Sequence, residues 1–512
     1  MPTNTSRRNF FSICAAGLAA PSFLSKHSLG NSTTALAPTV RRDIRNLAKE
    51  TKELELYKIA FRRLWDRWPL KDWHIPENRP SKEQMKTLDR TKRTSLVFQA
   101  LLHTHYCPHN NWWFFPWHRA YLYYFEKLLQ DAVRDLNPSR LPTIPYWNWT
   151  DDRPSDHPVP KIFRGTLSEN PLGNNRRHSN HLLDSHVGKD VIRERVNNAH
   201  SFEVFGSGSV KNLRDEGSAS PFERGPHLFV HMLIGGADRN FRPGDFNHFA
   251  TAAFDPIFWS HHANVDRLWN QWLSFADHSN PKDRTWHEMH FDMFVDAQGN
   301  HLSKTVAQVM ADPEIRSVIY APDQRDSQPP SPFFSLGGTE ALGRMPRGEI
   351  KINVGHGTFS LNRGVTLHIP LSVEQRQLLT KIASVTSEHE SGEAILILNG
   401  IRMDPKLPDL YLNCFLSASD AAFPNRRENF IGSFGFNANR HDGHSGNSQH
   451  GYGQIVDLTS ALRRLKQLKR LKIGNQLSVT FVLLPLNNIS RAHQPPGNLQ
   501  VPFQRAELQI KY

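Results

Sequence analysis

The spacing of apolar residues changes character near Tyr320, and that change limits the folds open to this chain more than any other feature. Before it, apolar side chains recur at helical intervals, as in helices with one buried face. Leu47, Leu54, Ile59 and Leu64 predict a helix from Val40 to about Arg67, and Ser95 to Leu129 predicts two more, separated by the Pro108–Pro116 region. Helical character returns at Pro226–Leu233 and Pro256–Phe275, whereas the polar stretch after Asn148, through His157, Asn174, Arg176 and Asn198, predicts irregular loops. After Tyr320 the pattern becomes strand-like in IKINV, VTLHIPL, EAILILNGI, LYLNCFL, NFIGSFGF, LSVTFVLLPL and AELQIKY, separated by polar turns. Between the two regimes, APDQRDSQPPSPFFSLGG is rich in Pro, Gly and Ser and predicts a linker. The expected organisation is a mainly α, loop-rich domain over 38–320, a linker over 321–345 and an all-β domain over 346–512.

At 512 residues the chain is long enough for more than one core. A formal charge of +13 suggests anionic partners, but the basic residues are dispersed. The densest run, Arg463–Lys472, spaces Leu462, Leu465, Leu468 and Leu471 as the buried stripe of a short helix, so nucleic acid is not an expected partner. Three cysteines are too few for a disulfide framework. Cys14 falls in a segment, 1–37, that reads as an address. There, Ser6, Arg7, Arg8, Asn9, Phe10 and Phe11 precede the short apolar run SICAAGLAAPSFL, a pattern resembling a twin-arginine export signal. That run is too short to span a bilayer comfortably, so the expectation is export to the periplasm or beyond without stable membrane insertion. Export of a folded chain suits a protein that receives a metal first, which makes a metal-delivery protein an expected partner.

Histidines carry the chemistry. His103, His105, Cys107, His109 and His118 crowd into HTHYCPHNNWWFFPWHR. His103 lies on one helical run and His118 opens the next, with His109 on the connection, so three imidazoles can converge. Trp112, Trp113, Phe114, Phe115 and Trp117 would keep the surroundings dry. In the second cluster, His227 and His231 follow Pro226 at helix-start position and project from one helix face. On the later helix Phe258, His262 and Asp266 share a face while His261 points elsewhere, so His262 is the expected third donor. Asn264 and Asp266 would stand behind it, orienting rings or anchoring the helix. Imidazole triads suit copper, zinc, nickel or iron, and one triad with an open position could hold a hydrolytic zinc. Two triads without a ligating carboxylate favour a redox pair that binds dioxygen between the metals.

His109 to Glu126, with Phe114, Phe115, Trp117, His118, Arg119 and Leu122, resembles the first copper signature of tyrosinases. Asp255, Pro256, Phe258, Trp259, His262 and Asp266 resemble the second. YWNWTDD after Pro145 extends the likeness, and EAILILNGI, NFIGSFGF and VTFVLLPL are similar to the last domain of plant polyphenol oxidases. The resemblance covers most of the chain after about Val40. It implies a four-helix bundle around a dicopper site, then a β sandwich or barrel, and oxidation of o-diphenols and monophenols such as tyrosine to o-quinones with O2. The implied partners are a small phenol, O2 and a copper-delivery protein.

Residue by residue, the resemblance implies that His103, His109 and His118 hold one copper and that His227, His231 and His262 hold the other. His103 is preferred to His105 because it keeps the family's spacing to Cys107, which would form a thioether to His109. Glu223 would hold a water near the coppers and help to remove the phenolic proton, and Phe249 would gate the second copper. Leu228 follows His227 where efficient monophenol hydroxylases often carry Asn, which puts phenol hydroxylation in doubt and leaves diphenol oxidation untouched. Tyr320 is similar to a remnant of a paired-tyrosine motif, and the plant enzymes' N-terminal disulfides are absent. The β domain would cover the active-site mouth. A reversible oxygen carrier of the haemocyanin kind uses the same six histidines and is the rival reading.

Overall fold

Ser95 starts the helix Leu96–Tyr106 by accepting the Phe98 N–H at 3.1 Å, and nearly every residue of that helix is buried. The next long helix, Phe114–Ala132, carries Pro116 in its first turn, where a missing N–H costs nothing. Ile257–Leu273 lies against it, with the Phe125 and Trp259 rings stacked at 3.4 Å. Thr51–Asp66 packs on the other side through Phe61, whose ring centroid is 5.6 Å from that of Phe125. The shorter helix Leu228–Gly235 completes the buried helical core. The computed structural model describes residues 38–512 except 48–50, 151–157, 180, 239–241, 322–347, 386–391, 404–406, 408, 418–426, 437–450 and 487–496. The expected export segment and nearly all of the expected linker lie outside the described residues. Among the described residues no helix is long and apolar enough to cross a membrane.

Three expectations change. The helix expected from Val40 is instead a strand, Thr39–Arg42, paired in parallel with Val318–Ala321, followed by helices Ile44–Leu47 and Thr51–Asp66. Thr39 and Val40 are β-branched, and Asp43 accepts the Arg45 N–H at 2.8 Å, which turns the chain before the helix begins. The loop region after Asn148 contains short helical turns at Asp184–Val187, Lys189–Ile192 and Phe202–Gly206, and a π-turn at Arg193–Asn197. In the basic run only Leu462 and Leu465 are buried, because the helix Thr459–Gln467 ends before Leu468, which is 48% exposed.

The C-terminal region is a two-layer β structure. One sheet orders Phe430–Phe436, Leu410–Ser417, Gln476–Pro485 and Gly364–Pro370 side by side. The other orders Ser218–Ala219, Tyr452–Asp457, Glu393–Ile401, Gln500–Lys511 and Glu349–Ser360. Its first strand comes from the helical region and pairs in parallel with Tyr452–Asp457, Ser218 opposite Gly453. The run EAILILNGI is apolar throughout because both of its faces are covered. Ala394, Leu396 and Leu398 point into the sandwich, whereas Ile395 and Ile397 belong to the core of the helical domain. Polar contacts pin the same junction: Arg195 donates to the Ile431 carbonyl at 2.6 Å, and Glu203 pairs with Lys511 at 2.5 Å. A side chain at Gly432 would overlap the Arg195 guanidinium and would have to displace it from the Ile431 carbonyl.

Candidate metal centre

The helix Leu96–Tyr106 delivers His103 from its last turn, and Phe114–Ala132 delivers His118 from its first. His109 comes from the connection, whose Asn110 takes φ +59°. The three ring centroids lie 5.3, 5.7 and 5.9 Å apart. In the second set His227 and His231 lie 4.9 Å apart, with His262 at 5.2 and 5.6 Å from them. The sets face each other, with the His118 and His262 rings parallel at 4.2 Å and His109 6.3 Å from His227. His261 also joins the second set, its ring 4.7 Å from His231 and 5.3 Å from His227. The sequence pattern had turned it away; the ring converges because the Glu223–His227 turn carries His227 alongside it. His105 departs, with its Nε2 on the Pro80 carbonyl at 2.9 Å.

Backbone carbonyls aim the rings. Nδ1 of His103 donates to Phe249 O at 3.2 Å, and Nδ1 of His118 to Phe114 O at 2.7 Å. Nδ1 of His227 donates to Glu223 O at 3.0 Å, and Nδ1 of His231 to Phe246 O at 2.9 Å. These bonds assign the proton to Nδ1 and turn Nε2 toward the cluster, the orientation a metal requires. Burial then keeps the rings neutral: it pulls His118 down to about 3, with its bond to Phe114 opposing, and holds His227 and His262 well below the ordinary imidazole range. Nε2 of His227 and both ring nitrogens of His262 have no hydrogen-bond partner among the described residues. Each such orphan costs about 1–3 kcal/mol. A coordinated metal would offset that cost, so two sets of neutral nitrogens without a carboxylate fit copper on donor type and orientation.

The remaining expected residues surround this cluster. Cys107 is buried, and its Sγ lies 4.0 Å from His109 Nε2 and 3.4 Å from His118 Nε2. Glu223 is buried, and its carboxylate accepts the Asn110 N–H at 2.6 Å and the Ser207 hydroxyl at 2.7 Å, fixing the loop that bears His109. The Phe249 ring lies 4.8 Å from both His103 and His109. Its own carbonyl holds His103, and the neighbouring Ala250 carbonyl accepts from Thr104 at 2.8 Å, so the loop is tied to the first histidine helix.

Residues 69–188 and 168–274 match the common central domain of tyrosinase. Through that domain the chain is related to the tyrosinases and polyphenol oxidases, which are copper oxidoreductases. Tyrosinase HcTyr1 of Hahella sp. (strain CCB-MM4) is 28% identical over 380 residues, 70% of this chain and 76% of the relative. A latent-form chloroplastic polyphenol oxidase of Prunus armeniaca is 30% identical over 244 residues, 40% of this chain and 39% of the plant protein. The chain thus aligns with about two-fifths of that relative's length. The structure of latent apple tyrosinase shares the fold, with a TM-score of 0.63 at 21% identity over 93% of this chain and 98% of that one.

Within this tyrosinase-like domain Asp266 anchors helices and, among the described residues, bonds to no imidazole. It accepts from Arg119 at 2.7 Å and from the Tyr320 hydroxyl at 2.6 Å, with Arg41 at 3.7 Å. Arg41 in turn donates to Tyr320 and to Glu126, and Tyr320 meets Tyr146 edge-to-face at 5.8 Å. Asn264 likewise accepts from Arg267 at 2.8 Å. The geometric reason is reach: a short carboxylate one turn beyond His262 meets the arginine of the facing helix before it meets a ring. Sequence reasoning missed Arg41 and Arg119 as its partners, since they lie 225 and 147 residues away.

Proposed function

We propose that this chain oxidises o-diphenols to o-quinones with dioxygen, using copper held by His103, His109 and His118 on one side and His227, His231 and His262 on the other. The observation that supports this best is the face-to-face approach of two buried, neutral imidazole sets, with His118 and His262 4.2 Å apart. Copper, when bound, supplies the chemistry that activates dioxygen and takes electrons from the diphenol. The protein's own share is placement. Carbonyls on Nδ1 fix the rings, while Phe114, packed 4.5 Å from His118 and 4.8 Å from His227, excludes water between the sets. To Glu223 we assign the steadying of a water that takes the phenolic proton, and to Phe249 the packing of the phenol ring.

Leu228 bears on the balance between substrates. It is buried directly after His227 and offers no hydrogen-bonding group to orient that water. Hydroxylation of a monophenol, which needs the proton removed first, is therefore the slower reaction. An oxygen electrode on copper-loaded protein tests both statements. Uptake with quinone formation is expected with catechol, and uptake roughly tenfold or more slower with the matching monophenol. Oxygen binding without turnover would instead identify a carrier, and no uptake with either would overturn the oxidase reading.

The β domain acts as a cover in this reading, in keeping with the latent forms named among the relatives. Asp409 of that domain is buried and accepts from Asn247 at 2.6 Å, on the loop that carries Phe246 and Phe249. Burial pushes its carboxyl up to about 7, and Asn247 opposes that shift. A carboxyl raised in the docked state favours docking fully below its free value of about 4 and loses that contribution as pH rises through 7. Diphenol turnover of the intact chain, divided by that of chain trimmed near Ser331, is therefore expected to lie below one at mildly acidic pH and to climb through pH 7. A ratio of one at every pH would refute the cover.

A further inference from the structure

At the end of the first histidine helix His105 turns to the Pro80 carbonyl, and the next residue, Tyr106, lines a groove of about 670 Å³ that the oxidation chemistry does not use. Lys82, Tyr106, Leu213, Arg214, Met289 and Asp292 line it, a volume suited to a small organic ligand. The Lys82 ammonium lies 4.6 Å from the centroid of the Tyr106 ring. Arg214 shares the groove and donates to the His105 carbonyl. Tyr106 is 8% exposed, and its hydroxyl has no hydrogen-bond partner among the described residues. A polar atom left in that state marks a place where a partner is absent.

The electrostatics point the same way. Burial lowers Lys82 below the ordinary lysine range, and the charge of Arg214 lowers it further. Arg214 is lowered too, chiefly by burial. The charge of Arg214 reaches Lys82 across the groove, and an anion between the two relieves that repulsion. The lining acids hold other partners, Asp292 accepting from Ser303 at 2.6 Å and Glu288 from Arg284 at 2.7 Å, but Asp292 and Glu83 still act on Lys82 and Glu216 on Arg214. Their remaining charge disfavours a dianion and selects a ligand with a single negative charge. The apolar lining of Leu213, Met289 and the Tyr106 ring asks for a flat hydrophobic body.

We propose that this groove is a binding site for a small aromatic monocarboxylate, its carboxylate held by Lys82 and Arg214 and its ring against Tyr106, Leu213 and Met289. The site is separate from the histidine centre and does not depend on the oxidase reading. It touches that centre through the backbone alone. Arg214 grips the carbonyl of His105, two residues from both His103 and Cys107, so an occupant would stiffen the segment that carries them.

Titration calorimetry on the full-length, copper-loaded protein tests this with 3-phenylpropionate, which has no phenol to oxidise, and with 3-phenylpropionamide and acetate. The carboxylate is expected to bind at least about tenfold more tightly than either, since only it combines charge with a ring. Lys82→Met, a change at an exposed position, should weaken 3-phenylpropionate about tenfold while leaving copper content and diphenol turnover unchanged. Arg214→Lys, which keeps the charge and loses the planar fork, should weaken it several-fold. Equal affinity of Lys82→Met and the parent chain would put the carboxylate elsewhere, the metal centre included, and overturn the site. So would the absence of binding, or equal affinity for the acid and its amide.

Discussion

Replacing His262 by alanine is expected to halve the bound copper and to lower diphenol turnover by at least about a thousandfold. The ring is fully buried, parallel to His118 at 4.2 Å and within 5.6 Å of both His227 and His231. Neither nitrogen bonds to another group among the described residues, so the substitution breaks no hydrogen bond there and leaves mainly a cavity. A ring that only filled space would therefore cost stability and leave the metal in place. His261→Ala supplies the internal comparison, because that ring sits beside the same set and also has unpartnered nitrogens. If His262 is the donor, His261→Ala keeps two coppers per chain and most of the turnover. Elemental analysis with oxygen uptake on both variants decides, and a reversed pattern would move the third donor to His261.

Why the sequence separates these neighbours only in part is instructive. Adjacent residues on a helix point about 100° apart, so one of a His–His pair should face the cluster and the other turn aside. Here both rings converge, because the second set is built across a helix and the turn Glu223–His227 rather than along one face. The convergence of the other histidines was legible for a simpler reason: His227 and His231 lie one turn apart, and His103 and His118 stand at helix ends that meet. The loop of Phe249 was not legible locally, because it is tied to the first histidine helix by bonds from His103 to the Phe249 carbonyl and from Thr104 to the Ala250 carbonyl, 146 residues away in each case. The strand Thr39–Arg42 was read as helix since its partner, Val318–Ala321, is remote, and pairing overrode the local pattern. EAILILNGI was correctly read as a strand, but its unbroken apolarity carried a second message. A strand buried on both faces implies something docked on the sheet, and that something is the helical domain.

Asp266→Ala is expected to lower stability by about 3–5 kcal/mol, a fall in the thermal midpoint on the order of 10 °C. The carboxylate is 3% exposed and stands between two arginines that are no more exposed than it is, Arg41 at 1% and Arg119 at 2%. Glu126 at 3.1 Å remains for Arg41, and Arg119 would keep the Asn270 side-chain oxygen at 2.6 Å and the face of Trp269 at 3.8 Å, neither of which carries a charge. The buried cluster would then hold two positive charges against one negative, which is the costly outcome of breaking rather than replacing an ion pair. Asp266→Asn should be nearly as damaging, since it keeps the shape and removes the charge. Tyr320→Phe removes a hydroxyl that donates to Asp266 and accepts from Arg41, and should cost about 1–2 kcal/mol. The two sites touch, so their effects should not add, and the double variant should lose less than the sum. Copper content measured well below the midpoint should stay at the parent level in all of them, because among the described residues no imidazole bonds to this carboxylate. A variant that kept its midpoint yet lost copper would show that Asp266 orients a ligand ring, and the anchoring role would have to be given up.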